Sequence, residues 1–498
     1  MSHYDLVIRN ATIVDGTRAP RFQADVAVRN GLIERVGTFG NETAARVIDA
    51  SGKVLAPGFI DAHTHDDRLM LSGPDMAPKV SQGVTTVIAG NCGISLAPAL
   101  RRMPTPVTPP LDLLDDEGSW FRFSTFQQYI EALQNKPAAT NCALLVGHSM
   151  LRLQTMEDLE KPASNGEIGQ MQTLVEEALE AGAIGLSTGL YYEPARAATT
   201  EEVIEVCRPL SARGALYCTH MRSEADGVID SLEETFRIGR ELAIPVVVSH
   251  HKVLGKPNYG RSSETLPIIE KAMHSQKVGL DCYPYCASST ILSWSRVGIA
   301  SKVLVTWSKS HPEFSGMDLK DIARTMNLSE ETTVQKLLPA GAIYFSMDEK
   351  DVQRILAFEH TMIGSDGLPH DAAPHPRLWG TFGRVLGHYR RLGLFSLEEA
   401  VHKMTGLTAA TFGLAGRGEV KEGFAADLVL FDEAAIGEAA SFENPVAHTK
   451  GIETVIVNGE PVWHEGRSTG ARPGKVLTRT RPRVEEQHFI GSGLLDSP

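Results

Sequence analysis

The chain has 498 residues, 42% of them hydrophobic and 22% charged, with a net charge of −13 and six cysteines. That length is enough for one large domain with its own core plus a smaller one. The acidic balance, with no long basic stripe, excludes a general nucleic-acid binder, and cysteines this scattered make no disulfide framework.

The first residues, Met1-Ser2-His3-Tyr4-Asp5, lack the basic, apolar and small-residue segments of a secretory signal. No apolar run reaches bilayer-spanning length, so a cytoplasmic protein without a membrane partner is expected. Residues 1–57 read as short strands. The run 6–14 is followed by Asp15-Gly16 and the run 25–28 by Asn30-Gly31, dipeptides that mark hairpins between β-rich segments. From residue 58 the pattern changes. Apolar, β-branched runs at 54–61, 84–90, 141–147, 183–189, 215–219, 244–249, 278–283 and 360–365 alternate with amphipathic segments. One such segment carries Ile168, Met171, Leu174, Val175, Ala178 and Leu179 and ends at Gly182; another carries Val228, Ile229, Leu232, Phe236 and Leu242.

Eight strands alternating with helices predict an α/β fold, a (β/α)8 TIM-type barrel over 58–407. An irregular stretch with its own helical pieces, 286–358, interrupts it between the seventh and eighth strands. Connections that long are usually functional, often lids. β character returns at 425–431 and 455–459, where Asn458-Gly459 repeats the N-terminal turn chemistry. Residues 1–57 and 408–480 are therefore expected to meet in one small β-sandwich, with 481–498 as a surface tail.

His63 and His65 stand at i and i+2 on the first barrel strand, so both point to one face and can share a metal. Imidazole suits zinc and other first-row metals. Taken alone, the pair reads equally as a polar strand end facing solvent. However, Cys92, His148, Tyr192, His220, His250, Tyr283 and Asp366 also follow buried runs, at the barrel face that carries active sites. Each has a plain reading, a satisfied strand-end histidine or an inert thiol. Six metal-ligand types on one mouth make coincidence a poor account.

The stretch Pro57-Gly58-Phe59-Ile60-Asp61-Ala62-His63-Thr64-His65, with His220, His250 and Asp366, resembles the amidohydrolase superfamily over essentially the whole chain. More narrowly, His63-Thr64-His65-Asp66-Asp67, Gly90-Asn91-Cys92-Gly93, Gly189-Leu190-Tyr191-Tyr192, Ser249-His250-His251-Lys252 and His375-Pro376-Arg377 resemble the N-acyl-D-amino-acid deacylases (D-aminoacylases). Cys92 is the most specific mark. Other amidohydrolases bridge their metals with a carboxylated lysine or a glutamate, and the fourth run, 184–189, offers no lysine.

The resemblance implies zinc: a tight site of Cys92, His220 and His250, and a weaker one of His63, His65 and Asp366 with Cys92 able to bridge. It implies hydrolysis of a small N-acyl-D-amino acid to a carboxylate and the free D-amino acid, with Asp366 moving a proton from water to the leaving amine. The substrate's α-carboxylate needs a cation, and Arg377 is the first choice for a bidentate clamp. Tyr283 and Ser289 would donate hydrogen bonds, Lys252 would be a second cation, and Tyr192 would lie near the acyl carbonyl. Arg296, with help from Lys252, would pair a second carboxylate and so favour an acidic side chain; its alternative is the outer face of a lid helix. Whole-length likeness leans to the N-acyl-D-aspartate deacylases, with D-glutamate and neutral derivatives as alternatives. Against a cyclic amide hydrolase stand Cys92 and the missing lysine; against a metal-free barrel scaffold stand six occupied ligand positions. D-stereochemistry and a monomeric state rest on the resemblance alone.

Overall fold

Eight short runs, Phe59–Asp61, Val84–Ala89, Asn141–Gly147, Gly185–Gly189, Leu216–His220, Val246–Val248, Val278–Cys282 and Thr361–Ile363, pair in parallel and in sequence order. They are buried on both faces, which is why they read as continuous apolar segments rather than alternating ones. The computed structural model describes residues 3–40, 42–99 and 103–480, and the expected tail at 481–498 lies outside them. The first and last strands meet through Ala62 N–H to the Ile363 carbonyl (3.1 Å) and Asp366 N–H to the His63 carbonyl (2.8 Å), which closes the barrel. Ile60, Ile88, Leu145, Ile184, Leu216, Val247 and Met362 fill its interior together with Ala409, Phe412 and Leu414. Ala409 and Phe412 come from helix Gly406–Phe412, which runs across the expected boundary at 407/408 and belongs to the barrel core.

The predicted helices form where the periodicity put them. Asn165–Ala181 starts with a Ser164/Glu167 capping box and ends at Gly182, whose φ of +121° favours a residue without Cβ. Val228–Leu242 buries Val228, Leu232, Phe236 and Leu242.

Both chain ends meet in one nine-stranded sheet beside the barrel. The expected single strand 54–61 is in fact two. Val54–Pro57 lies between His3–Ile13 and Leu428–Phe431 in the outer sheet, whereas Phe59–Asp61 joins the barrel. Pro57 ends the first piece because it has no N–H to continue a ladder. Asn30-Gly31 and Asn458-Gly459 close tight hairpins with positive φ at both residues. Asp15-Gly16 does not. The loop 14–21 replaces the turn, and His402 Nδ1 bonds the Gly16 carbonyl at 2.7 Å, fastening the loop to a barrel helix.

The insertion, expected as irregular, has a β core. Ala287–Ile291, Ala340–Phe345 and Val303–Ser308 form an antiparallel sheet with its own cluster of Val305, Leu319, Ile322, Val334, Leu337 and Tyr344. Helix Glu349–Ala357, counted in the insertion from sequence, packs instead on the last two barrel strands and on helix Ser262–Met273.

Phe412 is fully buried in the barrel interior. Replacing it with alanine is expected to cost about 3–5 kcal/mol, read as a fall in the midpoint of urea unfolding. A loss under about 1 kcal/mol would mean the helix does not seal the barrel.

Candidate metal centre

Three residues at the barrel mouth adopt left-handed backbone: Cys92 (φ +54°), His250 (φ +38°) and Asp366 (φ +50°). For non-glycine residues this costs of order 1–3 kcal/mol each and persists where surrounding structure imposes it, typically at functional sites. Cys92 lies between two glycines that the turn requires. A Cβ on Gly90 would meet the Leu145 carbonyl oxygen at 2.0 Å, and one on Gly93 the Gly189 nitrogen at 2.7 Å.

The turn aims Cys92 Sγ at two imidazoles, 3.3 Å from His63 Nε2 and 3.3 Å from His250 Nε2. His65 Nε2 is 3.2 Å from Asp366 Oδ1, and His63 Nε2 is 3.6 Å from the same oxygen. Two sets of ligand atoms each lie within 4.8 Å of one another: His63, His65, Cys92 and Asp366, and Cys92, His220 and His250. All six residues are buried, and Cys92 is common to both sets.

The donor chemistry fits a first-row metal. Both ring nitrogens of His220 and the Nδ1 atoms of His63 and His65 are buried without hydrogen-bond partners among the described residues, an expensive arrangement unless another group fills the gap. Burial lowers the His220 pKa to about 4, which leaves a neutral imidazole. Burial opposes ionisation of Cys92, but the His63 and His250 imidazoles outweigh it and hold the thiol well below its usual range. Burial likewise opposes ionisation of Asp366, and Arg377 and His65 outweigh it. His220, Cys92 and Asp366 are thus already in ligating form. Burial opposes charge on His63, His65 and His250, but the facing Cys92 and carboxylates outweigh it and raise all three, His65 to about 9, so a metal ion would displace their ring protons.

Tyr192, Ser288, Ser289, Thr290, Arg296, Leu113 and Leu368 join His65, Cys92, His220, His250 and Asp366 around a small cavity. Tyr192 donates to or accepts from Thr290 Oγ1 at 2.9 Å, linking a barrel loop to the insertion. Arg296 lies on the short helix Trp294–Val297 and faces the cavity, not the outer surface of a lid; it is only 4% exposed. Its guanidinium stacks 4.2 Å over Tyr191, and its Nε donates to Tyr191 Oη at 3.0 Å.

The other two candidate cations are already engaged. Arg377 is fully buried, with Nη1 2.9 Å from Asp366 Oδ2 and Nη2 donating to the Ser289 carbonyl at 3.0 Å. The bidentate clamp expected from sequence thus has one edge facing Asp366 and the Ser289 carbonyl. Lys252 lines the cavity, but its Nζ is 2.5 Å from Glu224 Oε1. Tyr283 stands between them, its ring 4.6 Å from the Arg377 guanidinium and 5.7 Å from Lys252 Nζ.

Sequence reading missed Glu224 and Asp281. Asp281 Oδ1 accepts from the His250 N–H at 3.0 Å, and Oδ2 is 3.6 Å from His63 Nδ1. A carboxylate inside the otherwise apolar strand Val278–Cys282 was the available signal. Glu224 carries none, since it lies in a loop.

A model of the amidohydrolase family matches residues 46–273 and 326–463. Among curated proteins, a D-aminoacylase of Alcaligenes xylosoxydans xylosoxydans is 57% identical over 478 residues, 96% of this chain and 98% of that one. An N-acyl-D-aspartate deacylase of the same organism is 51% identical, over 95% of both chains. Among solved structures, the N-acyl-D-glutamate deacylase of Bordetella bronchiseptica, complexed with zinc and a phosphonate mimic of the tetrahedral intermediate, superposes with a TM-score of 0.92 at 44% identity, covering 96% of this chain and all of that one. The chain belongs to the amidohydrolase family, in the group of D-aminoacylases and N-acyl-D-amino-acid deacylases. Identity to the D-aminoacylase exceeds that to the D-aspartate enzyme, so overall likeness does not single out the acidic substrate.

Cys92→Ala removes the atom shared by both ligand sets. It is expected to weaken metal binding by roughly 10²-fold or more, one ligand's share of a binding free energy of about 10 kcal/mol or above, measured by competition with a chromophoric chelator. Wild-type affinity in this variant would place the metal elsewhere.

Proposed function

We propose that the chain hydrolyses the amide bond of N-acyl-D-amino acids with zinc as cofactor, and that N-acyl-D-aspartate is its preferred substrate. The observation that carries the acidic preference is Arg296. It is a buried guanidinium on the wall of the cavity that holds Cys92, His220 and His250, and its one protein hydrogen bond among the described residues goes to the neutral Tyr191 hydroxyl. A neutral substrate would leave that charge unpaired, whereas a side-chain carboxylate would pair it. The D-stereochemistry follows the names of the relatives. A second reading, neutral N-acyl-D-amino acids, is favoured by the higher identity to the D-aminoacylase.

Cys92, His220 and His250 would hold the tight zinc ion, and His63, His65 and Asp366 a weaker one. When bound, zinc polarises the amide carbonyl and acidifies water. The remaining work belongs to the chain. Asp366 takes the proton of the attacking water and passes it to the leaving amine, its carboxyl kept ionised and oriented by Arg377. A subsite for the α-carboxylate is supported by buried donors without acceptors among the described residues, the Tyr283 and Ser289 hydroxyls and Arg377 Nε. Lys252 is on the cavity wall, paired with Glu224, and Tyr192 lies beside His220 where the acyl group would enter.

Two experiments test the proposal. Across N-acetyl-D-Asp, -D-Glu, -D-Met and their L forms, kcat/KM is expected to be highest for D-Asp, and Arg296→Leu should lower it by about 10²-fold or more for D-Asp while sparing D-Met. A wild-type preference for D-Met would overturn the acidic reading. Asp366→Asn is expected to reduce kcat by about 10²–10⁴-fold with the tight zinc retained; full turnover would remove Asp366 from the proton transfer.

A further inference from the structure

Glu224 is 4% exposed and surrounded by site residues. Its Oε1 is 3.0 Å from His250 Nδ1 and 2.5 Å from Lys252 Nζ. Oε2 is 3.6 Å from His220 Nε2 and has no hydrogen-bond partner among the described residues. The Glu224 carbonyl accepts the Leu254 N–H at 2.7 Å, which fixes the loop beneath the carboxylate. Lys252 Nζ is itself 2.8 Å from His250 Nδ1, on the side of the ring opposite Cys92, which lies 3.3 Å from Nε2.

A neutral imidazole carries its proton on one nitrogen and a lone pair on the other. Where Lys252 donates to Nδ1, the ring proton must sit on Nε2, and the nitrogen facing Cys92 cannot ligate. Where Nδ1–H donates to Glu224, the Nε2 lone pair is free. Two donors, the ammonium and the ring N–H, can coexist at this spacing only around a shared anionic acceptor. Glu224 Oε1 is within reach of both, and it is closer to Lys252 than His250 is.

We propose that Glu224 is a positioning residue that sets the tautomer of His250. It draws Lys252 off Nδ1 and accepts the Nδ1 proton, so that Nε2 is presented to a metal ion beside Cys92. Partners of this kind orient a ligating histidine and raise its basicity. The role rests on the zinc-dependent reading above, but it makes a prediction that a merely structural carboxylate does not. The damage from removing Glu224 should come from Lys252, and removing Lys252 as well should repair it.

The test measures zinc affinity, by chelator competition, in the wild type, Glu224→Gln, Lys252→Met and the double variant, each first checked for native circular dichroism. Glu224→Gln is expected to bind zinc about 10–100-fold more weakly, Lys252→Met to keep wild-type affinity, and the double variant to regain most of the loss. Wild-type affinity in Glu224→Gln would overturn the role, as would a double variant as weak as Glu224→Gln. If Glu224→Gln does not fold, the imidazole 15N shifts of zinc-loaded wild type decide the matter. A His250 protonated at Nδ1 and metallated at Nε2 supports the role, and the reverse pattern overturns it. A wild type with no tight zinc site would overturn both this role and the function above; weakened variants beside a tight wild type separate the two.

Discussion

Cys92 Sγ lies 3.3 Å from the Nε2 atoms of both His63 and His250, so one buried sulfur belongs to two ligand sets. Desolvating a thiolate is costly unless cationic or hydrogen-bonding groups face it. Here imidazoles from barrel strands one and six do so, and a metal ion would do so more strongly. The sulfur reaches this point only because Gly90-Asn91-Cys92-Gly93 turns sharply off the second strand, with Cys92 itself left-handed and no room for a Cβ at either glycine. Barrel closure, the strained turn and the ligand geometry are thus one constraint. The sequence can afford the strain because the eight-stranded core beneath it is closely packed.

A layer of buried charges fixes the ligands from behind. Lys79, fully buried, reaches Asp61 Oδ2 at 2.8 Å, Ser365 Oγ at 2.8 Å and Asp66 Oδ2 at 3.3 Å. Asp61 Oδ1 in turn accepts the Ser365 N–H at 2.7 Å and the His63 N–H at 3.3 Å, so the backbones bearing His63 and Asp366 are tied to one ammonium. Asp281 spans His63 and His250, and Glu224 spans His250 and Lys252. Buried charges tolerate little error in partner geometry, which suits a site whose ligands come from five separate strand ends. The same pairing rule sorts the cations around the cavity. Arg377 pairs with Asp366 and Lys252 with Glu224, whereas among the described residues the Arg296 guanidinium hydrogen-bonds only Tyr191.

The eight barrel strands were legible because strands buried on both faces read as unbroken apolar runs, and the ligands because each is a strong polar residue just past such a run. What was not legible depends on three-dimensional neighbours. Nothing in Val54 to Asp61 says that its first half pairs with strands from the two chain ends and its second half with the barrel; Pro57 marks only a break. The insertion hid its sheet because 303–308 and 340–345 pair across helices rather than through a short hairpin. Arg377 and Lys252 read either as substrate-facing cations or as surface salt bridges, and their buried carboxylate partners, 11 and 28 residues away on other elements, leave no mark in the local sequence. Arg296, by contrast, was placed at the site from its position after Ser289, and it lines the cavity.

The most direct measurement is anomalous diffraction at the zinc edge from crystals of the zinc-loaded protein. The proposed function predicts a strong peak bounded by Cys92, His220 and His250, with any second, weaker peak between Cys92 and the His63, His65 and Asp366 set. A fully occupied zinc ion that omits Cys92, or no peak at the barrel mouth, would contradict a metal centre built around this thiolate.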